Sequence, residues 1–164
     1  MINGAALRGV VNVMISLENS IRRNKAAMTV LDSLSKGAVF RLAVGGDRVN
    51  VSRETSGISF ENPTENVKPD FEINMPEDIF LELFSESVSS ISVEDYLTFS
   101  AKLLAGKGRG KVELIVYSNF LKLTFHGYPK LIKLGGPSFW KVLKENGVGS
   151  VFAIEKKLAT FRNK

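Results

Sequence analysis

Asp70-Phe71-Glu72-Ile73-Asn74-Met75-Pro76-Glu77-Asp78-Ile79-Phe80-Leu81-Glu82-Leu83 reads as a strand that turns directly into a helix. Phe71, Ile73 and Met75 alternate with polar neighbours, the period of a half-buried strand. Pro76 suits the first helical position. Glu77 and Asp78 then place negative charge in the first turn, where the helix dipole favours it. Ile79, Phe80, Leu83 and Phe84 form one apolar stripe. After the serine-rich bend Ser85 to Ser92, Ser92 is positioned to cap a second helix, with Asp95 three residues on as a variant of the capping box. That helix carries Val93, Tyr96, Leu97, Ala101 and Leu104 on one side and Phe99 and Leu103 on another. Gly106 to Gly110 stops it. Lys111 to Val116 alternates again, with Val112, Leu114 and Val116 on one face.

Upstream of this block lie three short strands. Val39 to Val44 turns Phe40, Leu42 and Val44 to one face, Gly45-Gly46-Asp47 is a tight turn, and Arg48 to Ser52 turns Val49 and Val51 inward. A second turn at Glu54 to Gly57 leads to Ile58 and Phe60, giving an antiparallel meander. Glu61 to Pro69 is a loop. Further upstream, Leu7, Val10, Met14, Leu17 and Ile21 repeat at three and four residues, so a helix is expected from Asn3 to about Lys36. It is either bent or divided at Arg22-Arg23-Asn24-Lys25, with Gly37 as its C-cap. Downstream, Phe120 to Phe125 fits a short helix capped by Ser118 but alternates well enough for a strand. His126-Gly127-Tyr128-Pro129 is a break, and Gly135-Gly136-Pro137 interrupts the apolar run of Leu131, Ile132 and Leu134. Ser138 is the expected cap of a helix bearing Phe139, Trp140, Val142 and Leu143, and Val151 to Phe161 forms a last helical or partly extended segment.

The 164 residues suit a single globular unit, with 44% apolar and 24% charged side chains. The organisation expected is an N-terminal helical extension, 1–36, packed on an α+β domain, 37–164. The chain has no cysteine and one histidine, which removes thiolate chemistry and leaves no transition-metal ligand set. No signal peptide is read in the first twenty residues and no run reaches the roughly 18 apolar residues of a spanning helix, so the expected place is cytoplasmic. Charge is uneven. Residues 1–100 hold 9 basic and 14 acidic side chains, and residues 101–164 hold 13 and 3. The basic half suits an anionic membrane surface or an acidic protein partner. No motif for nucleic acid accompanies it.

Chemical motifs do not survive inspection. His126 has no nucleophile-elbow serine to serve. Glu77-Asp78 and Glu94-Asp95 are explained by their places in helix first turns. Gly106-Lys107-Gly108-Arg109-Gly110-Lys111 fails as a phosphate loop: Ala105 and Val112 replace the first glycine and the hydroxyl, and it runs from helix to strand. No catalytic residue, metal ligand or cofactor is assigned. What stands out is an apolar excess on the helix from Val93 to Leu104, whose second face needs a cover.

In their order, a helical start, a three-strand meander, D-F-E-I-N-M-P-E-D-I-F-L-E-L at 70–83, a helix, and G-K-V-E-L-I-V at 110–116 resemble the sterol carrier protein type two family over about residues 37–134. Departures are Tyr117 where a glycine often follows the last strand, the long apolar opening, and the His126–Pro129 break within what is usually a helix. The resemblance implies an α+β fold: a five-stranded, mostly antiparallel mixed sheet with helices packed on one face. It further implies a hydrophobic tunnel between sheet and helices for fatty acids, acyl chains, sterol-like or isoprenoid lipids, with no enzymatic step. Such carriers often serve in pathways of insoluble metabolites, quinone synthesis among them. The expected lining residues are Phe80, Phe84, Tyr96, Phe99, Leu103, Leu114 and Phe120, with Tyr96 or a loop lysine meeting a polar head. The alternative is an interaction or accessory module of a lipid or quinone pathway whose core is filled by its own side chains.

Overall fold

The computed structural model describes residues 16–84, 91–107 and 111–162. Helical residues 16–23 (α1) and Lys25–Asp32 (α2) come first, separated at Asn24, whose side chain caps α2 through the Ala27 amide. The meander follows as β1 (Val39–Val44), β2 (Asp47–Glu54) and β3 (Gly57–Glu61), then β4 (Phe71–Met75) and α3 (Glu77–Phe84). After α4 (Val93–Leu104) come β5 (Glu113–Val116), α5 (Phe120–Phe125), α6 (Pro129–Glu145) and α7 (Val151–Thr160). The five strands form one sheet in the order β3-β2-β1-β4-β5, in which β1 and β4 are parallel and the other neighbours antiparallel. The fold is α+β with a five-stranded mixed sheet, as the sequence leads one to expect.

Register explains the core. Phe60, Val51, Phe40, Phe71 and Val116 stand side by side across all five strands. Val49, Leu42, Ile73 and Leu114 form the next row. Both rows face the helices, because residues two apart on a strand share a face. The opposite parity is polar: Arg41 lies beside Asn50 and Glu72 and binds both, donating to Asn50 Oδ1 at 2.9 Å and pairing with Glu72 at 3.6 Å.

Several expected boundaries move, each for a visible reason. The opening helix is expected to reach Lys36, but α2 ends at Asp32 with Ser33 as cap, and Gly37 (φ 92) instead serves the turn into β1. Its part before residue 16 lies outside the described residues, as do Ser85 to Ser90 and 108–110 of the expected bends. Ser92 and Asp95 do form a reciprocal capping box. The last strand begins at Glu113 rather than Lys111, so Val112 lies outside it. The segment from Phe120 is helical, and its cap is Asn119, bonding the Lys122 amide, not Ser118. The Ser118 hydroxyl instead donates to the buried Asp70 carboxylate at 2.8 Å. Ser138 lies inside α6, because the helix resumes at once after Gly136, whose φ 54 and ψ −143 open a kink that Pro137 follows. The final segment is helical and capped by Ser150.

Candidate apolar site

Two cavities lie between the sheet and its helices. The larger, about 160 Å³, is bounded by Leu103 of α4, Leu114 of β5, Phe120 of α5, Ile132 and Phe139 of α6 and Leu158 of α7. The smaller, about 120 Å³, is bounded by Ile21, Leu34 and Phe40 on one side and Phe84, Tyr96 and Phe99 on the other. Phe71, Ile73, Ser100, Tyr128 and Leu131 border both. The sheet supplies the floor because its inward rows are continuous. α4 supplies the roof, and its contacts with α2 on one side and α6 on the other place it over both cavities.

The seven residues expected to line a binding site therefore divide. Leu103, Leu114 and Phe120 border the larger cavity, and Phe84, Tyr96 and Phe99 the smaller. Phe80 borders neither. It is 3% exposed and stacks on Phe84 at 4.8 Å, which in turn stacks on Tyr96 at 5.4 Å. Phe80 is thus a core residue that backs the wall. Sequence reasoning missed the shared border and the contribution of α6 and α7. Phe71 and Ile73 were legible as an apolar strand face. Tyr128 and Leu131 flank a Gly-Pro break and gave no periodic signal.

Hydroxyls in these walls already have acceptors. Ser100 donates to the Tyr96 carbonyl at 2.9 Å and Thr124 to the Phe120 carbonyl at 2.9 Å. Tyr96 donates to the Leu83 carbonyl at 2.5 Å, so its hydroxyl is engaged inside the protein rather than offered to a polar head. Tyr128 donates to Asp70 at 3.0 Å. Burial raises the Tyr128 phenol far above its ordinary value, and the Asp70 charge and hydrogen bond push the same way. Burial, helped by the charge of Asp95, pushes Tyr96 up to about 12.

Asp70 is the polar counterpart of the cavities. It is fully buried, and its carboxylate accepts from the Val39 amide at 3.1 Å, Ser118 at 2.8 Å, Tyr128 at 3.0 Å and His126 Nδ1 at 2.6 Å. Lys122 Nζ lies 3.7 Å away. A buried carboxylate requires such a shell, since an unpaired one would cost several kcal/mol. His126 is thereby accounted for as a structural donor, with its carbonyl accepting from the Ser35 amide at 2.9 Å. Among the described residues no group of three acidic or histidine side chains could hold a metal ion, and no helix is long and apolar enough to cross a membrane.

Fold and cavities together define a mixed-sheet α+β protein with an apolar interior space under its helices. No protein-family model matches the chain. No curated protein matches it either. Among solved structures it is similar to one titled "UbiJ-SCP2 Ubiquinone synthesis protein", at 14% identity and a TM-score of 0.39, over 78% of this chain and 93% of that one.

Proposed function

We propose that this protein binds, without chemical conversion, a hydrophobic ligand such as an acyl chain, a sterol-like molecule or an isoprenoid, in the space between sheet and helices. The observation that carries this reading is the pair of adjacent apolar cavities whose hydroxyls are all internally bonded. Such walls reward hydrocarbon, at about 0.8 kcal/mol per buried methylene, and offer a buried polar group no free donor. Phe84, Tyr96, Phe99, Leu103, Leu114 and Phe120 line the ligand, and Phe80 supports them from behind. Residues 16–36 act as a packed extension, since Leu17, Ile21, Leu31 and Leu34 share the core with the sheet of the 37–164 domain.

The basic half supplies the approach to an anionic lipid surface. α5 and α7, which both border the larger cavity, carry exposed Leu121, Phe125 and Phe152 beside Lys122, Lys156 and Lys157. Native mass spectrometry of the purified protein and titration with a fluorescent acyl-chain probe test the proposal. Retained lipid or saturable, displaceable binding is expected; a protein that carries none and displaces nothing refutes it. The small size of each cavity favours a second reading, an accessory module whose interior its own side chains nearly fill. Capture of an enzyme partner by a protein without lipid affinity would establish that reading instead.

A further inference from the structure

We propose that the two cavities are halves of one site threaded by a single uncharged hydrocarbon chain, and that Leu131 and Ser100 at their waist set the chain length accepted. This inference rests on the binding reading above. Each cavity, at about 160 and 120 Å³, is near the roughly 150 Å³ that holds one benzene. Neither alone accommodates a lipid chain. Yet five residues border both, so the partition between them is one side chain thick.

The partition has a fixed side and a yielding side. Its floor is held: Phe71 stacks on Phe40 at 5.3 Å and meets the edge of Tyr128 at 5.2 Å, while the Tyr128 hydroxyl is anchored on buried Asp70. Opposite stand Leu131, free of polar ties, and Ser100, the smallest side chain of the five. A rotamer change of Leu131 beside so small a neighbour joins the halves. The waist offers a polar head no free donor, since the Tyr128 hydroxyl is spent on Asp70 and that of Ser100 on the Tyr96 carbonyl, so the chain enters by its apolar end and any head stays at a mouth.

The test is calorimetric titration of the full chain with hexanol, octanol and decanol. For the unaltered protein, affinity rises roughly fourfold per methylene, or roughly two-hundredfold from hexanol to decanol. In Leu131→Trp, and independently in Ser100→Leu, which fills the waist from α4, the decanol-to-hexanol ratio falls to within about tenfold of unity. If the unaltered protein shows no gain beyond hexanol, or if both folded variants keep the full gain, the shared waist is overturned and binding itself stands. If no alkanol binds the unaltered protein at all, the binding reading falls with it.

Discussion

The two ends of the sheet carry the same kinds of side chain on the same face, yet they are covered differently. Along one row, Val49 is 0% and Leu42 4% exposed, whereas Ile73 and Leu114, their register partners, are only partly buried. At the β2–β3 end, Val49, Val51, Ile58 and Phe60 lie in one packed cluster and border neither cavity, whereas Phe40 and Leu42 of β1 border the smaller one. The β4–β5 end lies under α5, α6 and α7, whose side chains enclose the larger cavity. Apolar residues alone therefore do not decide whether a core is solid. The shape of the cover does, because protein interiors otherwise pack to crystal-like density.

Asp70 joins the two ends, and removing it should unsettle both at once. It ties β1 through Val39 and the α5–α6 turn through His126 and Tyr128. Asp70→Ala strands several buried donors and should cost about 3–5 kcal/mol in urea unfolding. If the loss is under about 1 kcal/mol, the shell is not what holds the halves together. The contrast in packing gives a paired test. Ile58→Ala at the solid end should cost about 2–5 kcal/mol, and Leu114→Ala at the open end about 1 kcal/mol, since it enlarges a space already present. Equal costs would erase the distinction between the ends.

Smaller effects sharpen the picture. Ser92→Ala removes the cap of the helix that roofs both cavities and should cost about 1 kcal/mol. Bonding to the Ser92 amide and hydroxyl lowers the Asp95 pKa below its ordinary 3.8. The folded value is depressed, so this contribution is present above about pH 4 and lost as the pH falls through the folded value. Acid titration of stability should therefore be shallower in Ser92→Ala. At the alkaline side the sign reverses. Tyr96, Tyr117 and Tyr128 all have folded values raised above 10.0. Their contribution is full below pH 10 and is lost above it. Phenolate absorbance of the folded protein should lag that of the unfolded chain, with Tyr96 near pH 12; coincident curves would show the rings to be wetter than described.

The strands, the sheet and the capped α4 were legible because each is written locally, in alternation, in Gly-rich turns, and in Ser92 with Asp95. Of the six expected lining residues that border a cavity, five sit on elements written in this way, while Phe120 lies on a segment that helical spacing and alternation describe equally well. Phe80 lies behind the wall because one helical stripe serves both wall and backing, and periodicity does not separate them. Asp70 could be read only as the start of a strand, since its partners come from 31 to 58 residues away. The same holds for Ser118, whose apparent role as a cap yields to a carboxylate 48 residues upstream.

The Arg162 bridge to Val116, with the Val116 amide donating to the Phe161 carbonyl at 2.8 Å, gives β5 a short companion on its outer side. An unpaired strand margin is a template on which other chains polymerise. Cleaving the backbone beyond α7 would bare that margin on the very strand that floors the larger cavity. Self-association and loss of the interior space should then arrive together.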